Sequence, residues 1–550
     1  MTRTLAGLAT LVLLVASPLR VAGAAPDSAD PRREARQLAL ERDPLTLREK
    51  ALIDRPDRNR PKHPLAFRVF GRPLTVGGRF SVVTRYEDTR LQDFDFFDFV
   101  DDTDEIEDEA RGQFPTDDQL RVNQSLQLDL FYPFTERTSV YLEGVIFWRR
   151  LAWAEHADTR DEWLFERGES WLYLGNLFDT PFSLQTGRQR FFDEREWWWD
   201  EDLDAVRLRA DFERFHAEVA VAEQLLPVNL RESSIDPEER DVLNILGTAA
   251  WQWAEKHQVG LLALHRRDHS SRQSLIVPEP DPISGCVREF EDGFPEEGKA
   301  FFQSECPPPP PTVGFEDESD ADLTWVGLSA SGAFKLGSPG KLRYWLDGAG
   351  VFGSETFTDY SGPAGARTVG AVDRHRVSGA GVDAGLTWET SLPARPSLTL
   401  GYAFGSGKSG LREERDGGFR QTGLQDNNDR FRGVASFRYY GELLDPELSN
   451  LHVVTAGIGF RFLRKSSVDF VYHHYRQARA APFLRDADVK RDPSGVNTAI
   501  GQEWDVIVGI EEWRRFELKF VGALFRAGKA FAPQPGKLSY LTSLRLRLNF

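Results

Sequence analysis

Arginine side chains alternate with apolar residues in several segments of this 550-residue chain. Arg207 and Arg209 lie between valine, leucine and alanine, and Arg545 and Arg547 lie between leucines. The chain contains 56 arginines but only 12 lysines, and a guanidinium group can bind a carboxylate through two parallel hydrogen bonds. A surface that gathers such residues would bind anions by charge-assisted hydrogen bonds. Whether they act together depends on the elements that position them.

The alternation of polar and apolar residues indicates β-strands. From about Leu74 to Phe550 it recurs with a period of two in segments of nine to fifteen residues. Short turns alternate with long polar connections, among them residues 87–118, 269–321 and 407–430. Short turns at one end and long loops at the other are typical of transmembrane barrels. We predict an all-β fold, a transmembrane antiparallel β-barrel of about 18 strands with short periplasmic turns and long extracellular loops.

The end of the chain favours this barrel over a soluble β-sandwich or propeller. Leu544, Leu546, Leu548 and Phe550 alternate strictly with polar residues, and a terminal phenylalanine of this kind is typical of outer-membrane barrels. Aromatic clusters near strand ends, such as Trp197 to Trp199, fit the aromatic girdles of such barrels. Each cluster would equally suit packing in a core.

If the apolar face of each strand meets lipid, the charged neighbours must face the lumen, because Arg or Lys on the lipid face costs about 2–4 kcal/mol at the bilayer midplane. Twelve basic residues then face inward, namely Arg79, Arg85, Arg121, Arg149, Arg207, Arg209, Arg343, Arg438, Arg461, Lys519, Arg545 and Arg547. Seven acids join them, namely Asp129, Glu143, Asp211, Glu218, Asp347, Asp469 and Glu517. This positive excess would concentrate anions in the lumen. The alternative is a network in which these arginines pair with lumenal acids and only fill the interior.

The chain as a whole is acidic, with a formal net charge of -18 and ten acids between Asp93 and Glu109. This balance argues against nucleic-acid binding. At the start of the chain Arg3, an apolar run and Ala22-Gly23-Ala24 follow the order of a secretory leader. We predict a signal peptide at residues 1–24, a periplasmic N-terminal segment at 25–64, and a barrel at 65–550 in the outer membrane of a Gram-negative bacterium.

Several motifs resemble those of one family of outer-membrane proteins. Gly187-Arg188-Gln189-Arg190-Phe191 is followed by Trp198-Trp199-Asp200 and Leu203-Asp204-Ala205, and further matching segments run from Gln421 to Phe525. From about Glu166 onward the sequence resembles the alginate-export outer-membrane protein family. The resemblance implies an eighteen-stranded barrel whose arginine-rich constriction passes an anionic uronate polymer.

The resemblance also implies roles for individual residues. Arg190 and Asp200 match a pore arginine and a nearby pore acid, Lys519 matches a basic constriction position, and Arg438 lies within one residue of another. Strand parity places Arg190 on the apolar face, so we predict a β-bulge at Gly187. Residues 478–500 match the position of the family's periplasmic plug. The candidate pore-lining residues are Arg190, Asp200, Arg438, Lys519, Arg461, Arg207, Arg209, Arg343, Arg121 and Arg149.

The sequence contains no serine-nucleophile motif and no zinc-binding helix motif, so we predict no enzyme, no cofactor and no metal site. Cys286 and Cys306 are expected to form a disulfide in an extracytoplasmic loop. We predict a monomeric outer-membrane channel that exports an anionic polysaccharide, alginate or a related uronate polymer. The first alternative is an anion-selective porin for small solutes. The second, less favoured alternative is a barrel-scaffolded outer-membrane enzyme or adhesin. The expected partners are the polysaccharide, outer-membrane lipid and lipopolysaccharide, the barrel-assembly machinery and periplasmic export proteins.

Overall fold

The computed structural model describes most of the chain from residue 64 onward. The described ranges are 64–88, 118–154, 159–232, 234–236, 239–270, 320–337, 340–361, 368–408, 415–489, 492–532 and 534–550. The predicted leader, the acidic segment from Asp93 to Glu109, and Cys286 with Cys306 lie outside these ranges. Within them, no helix has both the length and the apolar character needed to cross a membrane.

Eighteen strands within the described residues form one closed antiparallel sheet, so the predicted fold class is confirmed. The strands are β1 (Arg72–Asp88), β2 (Asp118–Pro133), β3 (Thr138–Ala154), β4 (Arg160–Leu174), β5 (Phe182–Phe192), β6 (Asp200–Asp211), β7 (Phe215–Ala222), β8 (Val242–Ala254), β9 (His257–Asp268), β10 (Ala321–Lys335), β11 (Lys341–Ser361), β12 (Thr368–Glu389), β13 (Ser397–Gly405), β14 (Leu451–Arg461), β15 (Ser466–Gln477), β16 (Ala499–Ile510), β17 (Phe516–Ala527) and β18 (Leu538–Asn549). A short strand, Leu65–Val69, forms a hairpin with the start of β1.

The first and last strands close the barrel. β1 pairs with β18 from Arg79 opposite Asn549 to Glu87 opposite Leu541. The N–H of Phe550 donates to the carbonyl of Gly78 at 3.0 Å, and the N–H of Gly78 donates back at 2.9 Å. Phe550 therefore helps to close the barrel between β1 and β18.

The two faces of the wall differ as the alternation predicts. On β6, Val206 and Leu208 are 53% and 40% exposed on the outside, whereas Arg207 and Arg209 are buried on the inside. An outer face of apolar side chains suits contact with lipid, while polar side chains find partners in the interior. On these regular strands, the alternation of residues therefore identifies the side chains that face the lumen.

The two rims of the barrel carry different connections. The start of β1 and the end of β18 lie on the same rim of the barrel as short turns such as residues 134–137 and 255–256. We call this rim the turn rim. The opposite rim, the loop rim, carries the longer connections. Residues 478–489 and 492–498, between β15 and β16, belong to the loop rim. The match of residues 478–500 to a periplasmic plug is therefore wrong, because the predicted periplasmic turns lie on the other rim.

The described residues of the connection between β13 and β14, 406–408 and 415–450, fold into the barrel, and we call this segment the lumenal loop. In this loop the side chains of Phe437, Leu443 and Leu448 are completely buried. It contains two short strands, Asn428–Asp429 and Phe437–Arg438, which pair with each other. The placement of Arg438 on a wall strand is therefore wrong, because its alternation with Phe437 reflects this small lumenal hairpin.

Candidate functional site

The strand pair β5–β6 departs from the wall near the loop rim. β5 pairs with β4 only as far as Arg188 opposite Ser170, but it pairs with β6 without interruption up to Phe192 opposite Asp200. Gly187 has a φ of 115°, and a Cβ there would clash with the Ser170 carbonyl oxygen. The predicted β-bulge at Gly187 is not found, since the β5–β6 register is continuous there, and β5 instead separates from β4 just after this glycine.

The connection that follows, residues 193–199, forms what we call the β5–β6 tip. The Asp193 carboxylate accepts hydrogen bonds from the backbone N–H groups of Trp198 and Trp199 at 2.9 and 3.0 Å. Trp197 donates its indole N–H to the hydroxyl of Tyr440 in the lumenal loop at 2.9 Å. All three tryptophans are buried. Of the two alternatives for this cluster, packing in a core is therefore confirmed, since the three indoles pack inside the barrel.

The lumenal loop is attached to the wall at three heights. Near the loop rim, the Arg420 guanidinium pairs with Glu355 of β11. Further down, Leu443 and Leu444 donate their backbone N–H groups to Glu503 of β16 at 2.7 and 3.1 Å. At the turn rim, the N–H of Val434 donates to the Ser467 hydroxyl at 2.8 Å.

A fourth contact also holds the lumenal loop at the turn rim, where Arg432 pairs with Glu389 at 2.9 Å. The lumenal loop therefore runs from one rim of the barrel to the other.

The two residues matched to a pore pair do contact each other. Arg190 Nε donates to Asp200 Oδ1 at 2.6 Å, and both side chains are nearly buried. The N–H of Asp200 donates to the carbonyl of Leu424 in the lumenal loop, at 2.5 Å. This pair thus lies where the β5–β6 tip meets the lumenal loop.

Two further candidates, Arg438 and Lys519, each pair with loop carboxylates. Arg438 Nη1 lies 2.8 Å from Asp445 and 2.9 Å from Asp488, and Lys519 Nζ lies 3.1 Å from Glu442. Burial alone would raise the pKa of the Glu442 carboxyl, but the neighbouring Lys519 and Arg438 hold this pKa below its ordinary value. Burial, together with Asp488, raises the pKa of the Asp445 carboxyl well above its ordinary value even though Arg438 opposes this.

Arg207 and Arg209 lie on the inner face of β6. Arg207 packs its guanidinium 3.5 Å from the ring centroid of Phe191 and donates to the Arg190 carbonyl at 2.8 Å. Arg209 Nε lies 3.3 Å from Glu218 of β7. Among the described residues, Nη1 and Nη2 of Arg209 make no hydrogen bond.

Arg121 and Arg149 lie on the inner faces of β2 and β3. Arg121 is 3.6 Å from Glu87, and Arg149 is 3.9 Å from Glu162. Both Nη atoms of Arg149 are buried without an acceptor in the described part of the chain. These guanidinium groups add to the basic character of the inner face of the wall.

Arg343 and Arg461 contribute to a cavity of about 490 Å³ near the turn rim. Arg461 Nη2 donates to the Arg432 carbonyl at 2.9 Å. The basic residues that line this cavity are Arg195, Lys256, Arg343, Arg430, Arg432 and Arg461, and the acidic ones are Glu194, Glu255 and Asp429. Basic side chains therefore outnumber acidic ones in this part of the lumen as well.

Arg195 is a lumenal residue that the sequence patterns did not identify. It lies in the β5–β6 tip, 2.7 Å from Asp383 and 3.3 Å from Asp347, and its guanidinium is 4.3 Å from the ring centroid of Tyr439. The tip has no alternation, so strand parity could not place it. The concentration of charged and aromatic residues in 193–199 was the signal available in the sequence.

Three carboxylates approach one another at the junction between the β5–β6 tip and the lumenal loop. Glu196, Asp200 and Asp426 each offer an oxygen within 4.8 Å of the others. Arg190 already pairs with Asp200, so a cation is not needed to balance that carboxylate.

A sequence profile for alginate export matches residues 105–541, most of the chain. The chain belongs to the alginate export family. Members of this family are channels, so the prediction that the protein is not an enzyme is confirmed.

Relatives in the alginate export family share about a quarter of their residues with this chain. The alginate production protein AlgE of Pseudomonas aeruginosa is 25% identical over 390 residues, which cover 66% of this chain and 70% of that protein. The protein of the same name from Pseudomonas syringae pv. tomato is 22% identical over 363 residues, covering 61% and 63%. That from Azotobacter vinelandii is 23% identical over 299 residues, covering 54% of each chain.

Solved structures that align with this chain include two from Pseudomonas aeruginosa. OccK5 (OpdH) gives a TM-score of 0.46 at 8% identity, covering 86% of this chain and 98% of that chain. OccK2 (OpdF) in complex with glucuronate gives 0.46 at 11% identity, with the same coverage.

Proposed function

We propose that this member of the alginate export family exports an anionic polysaccharide, alginate or a related uronate polymer, from the periplasm through an arginine-rich lumen in the outer membrane. The observation that carries the proposal is the set of inward-facing arginines on the wall strands, among them Arg149, Arg207 and Arg209. Each such group offers N–H donors to a carboxylate, the charged group that a uronate polymer repeats.

The proposed mechanism is electrostatic. In a low-dielectric wall, guanidinium groups replace the water and counterions around successive carboxylates of the polymer. Conduction requires that each contact be weak enough to break as the next one forms. The lumenal acids beside Arg190, Arg209 and Lys519 lower the net charge at each position, so the chain can keep moving.

An anion-selective porin for small solutes is the alternative function, favoured by the modest size of the basic cavity at the turn rim. Ion currents through the purified protein in a planar bilayer separate the two. Under the export proposal, a soluble polyuronate blocks the current at concentrations where a neutral polymer of the same length does not. Equal effects of both polymers would favour the small-solute porin.

Charge reversal at the predicted constriction tests the role of its cations. Arg190→Glu and Arg438→Glu should each lower the anion preference of the current, and the double variant should reverse it, because carboxylates would replace the cations that attract anions. Reversal potentials in a salt gradient measure this preference. Arg137→Glu is the matched control, since Arg137 is about half exposed on a short turn outside the lumen. Unchanged selectivity in the double variant would contradict the assignment.

The proposal includes the predicted targeting of the protein. We expect residues 1–24 to be removed as a signal peptide, residues 25–64 to lie in the periplasm, and the barrel of 65–550 to enter the outer membrane through the barrel-assembly machinery. Mass spectrometry of the protein from purified outer membranes would give the mature N-terminus. A mature protein that still begins at Met1 would contradict the leader assignment.

A further inference from the structure

Two candidate lumenal cations are paired with carboxylates that belong to loops rather than to the wall. Glu442 and Asp445 lie in the lumenal loop, and Asp488 lies in the connection between β15 and β16. They contact Lys519 at 3.1 Å and Arg438 at 2.8 and 2.9 Å. Asp488 also lies 3.7 Å from Arg85 of β1. Loop carboxylates therefore occupy the positions on these cations that carboxylates of a polymer would need.

The backbone around these acids is held by bonds that do not involve the cations. Tyr475 donates its hydroxyl hydrogen to the Tyr440 carbonyl at 2.7 Å, and the N–H groups of Leu443 and Leu444 donate to Glu503. The side chains of Glu442 and Asp445 can therefore leave Lys519 and Arg438 without releasing the loop.

The connection between β15 and β16 is anchored in a similar way. The N–H of Asp488 donates to the Leu444 carbonyl at 3.0 Å, which ties this connection to the lumenal loop. The flanking side chains of Ala487 and Val489 are buried. The Asp488 carboxylate can therefore change its partner while its backbone stays in place.

We propose that Glu442, Asp445 and Asp488 act as exchangeable counterions that set the channel's selectivity for polyuronates. This inference rests on the proposed function. A polymer carboxylate displaces a loop carboxylate from Arg438 or Lys519, and the loop carboxylate returns when the polymer moves on. No buried cation is then left without a partner at any step, which avoids the large cost of an uncompensated buried charge.

Exchange of this kind also limits how tightly the polymer is held. A buried guanidinium without competition would bind each carboxylate strongly, and a chain with many such contacts would leave slowly. A competing carboxylate of the same chemical type weakens every contact by a similar amount. Burial raises the pKa of the Asp445 carboxyl well above its ordinary value, which weakens Asp445 as a competitor.

Neutral, isosteric variants test the inference. Glu442→Gln and Asp488→Asn keep the size of the side chains and remove the competing charge. In planar bilayers, the double variant should be blocked by an oligouronate at about tenfold lower concentration than the wild-type protein, with longer blocked intervals. Its anion preference should also rise. Asp179→Asn, which removes one negative charge from an exposed turn, should behave like the wild type.

The outcomes separate this inference from the function on which it rests. If the oligouronate does not block the wild-type current, the proposed function fails. If it blocks the wild type and the double variant at equal concentrations, only the counterion inference fails. The inference also fails if the double variant is blocked more weakly and melts at a lower temperature, because the acids would then be structural supports of the cations.

Discussion

At the scale of single residues, buried ion pairs rather than isolated arginines organise the lumen. Asp416, in the lumenal loop, contacts Lys408 Nζ at 2.8 Å and Arg420 Nη2 at 2.7 Å. Arg420 in turn pairs with Glu355 of β11. Burial alone would raise the pKa of Asp416, but the two cations outweigh burial and lower it to about 2. This cluster fixes the start of the lumenal loop to the wall.

The low pKa of Asp416 predicts a pH dependence of stability. A carboxyl whose pKa is lower in the folded protein stabilises it at pH values above the ordinary value of about 3.9, and this contribution is lost as the pH falls through about 2. We expect Asp416→Asn to lower the free energy of unfolding by about 2 kcal/mol at pH 5 and by much less at pH 2. Melting temperatures of both proteins in detergent, measured from pH 5 to pH 2, test this. A difference that stays constant with pH would contradict it.

At the scale of elements, the departure of β5 from β4 brings the β5–β6 tip into the lumen. The left-handed backbone at Gly187, where the Ser170 carbonyl leaves no room for a Cβ, marks this point. Beyond it, the Phe191 side chain and the tryptophans of the tip are buried inside the barrel. The path of one strand pair therefore determines where Arg190 and Asp200 lie.

Gly187→Ala should disturb this element. An L-residue at that φ costs about 1–3 kcal/mol, and the clash with Ser170 adds to this cost. We expect a lower melting temperature and a smaller anion preference, because Arg190 would lose its position beside Asp200. Gly144→Ala is the matched control, since Gly144 lies in a strand where a Cβ would meet nothing closer than 4.0 Å. Equal melting temperatures for both variants would show that the conformation at 187 is not required.

The sequence predicts the wall better than the contents of the barrel. The alternation from Leu544 to Phe550 identifies β18, because the two faces of a strand meet lipid and lumen wherever that strand lies in the barrel. Trp198 is buried instead against residues far away in the chain, among them Thr422, 224 residues away, whose hydroxyl donates to the Trp198 carbonyl. Arg438 differs, because its alternation with Phe437 is a true local pattern, but the strand that it marks lies in the lumenal hairpin and not in the wall. Residues whose burial depends on such distant partners carry no local pattern.

At the scale of the whole molecule, the lumenal loop occupies the interior from rim to rim, so passage of a polymer depends on this loop. Its lower part, near Val434 and Ala435, lies against β16 at the turn rim, where a periplasmic polymer would enter. A Cβ at Gly509 would lie 2.9 Å from the Ala435 Cβ. A disulfide needs about 3.8 Å between these atoms, so a shift of about 1 Å would allow one to form.

Ala435→Cys with Gly509→Cys should therefore allow the lower part of the lumenal loop to be locked to the wall. If this part moves aside for the polymer, the oxidised double variant should show much weaker block by polyuronate added at the turn rim, and a reductant should restore the block. The two single-cysteine variants and the wild type should respond to neither treatment. They serve as controls for any effect of the two native cysteines, Cys286 and Cys306. Undiminished block in the fully oxidised double variant would mean that the polymer passes beside a fixed loop, and the lumenal loop would then be part of the pore lining rather than its gate.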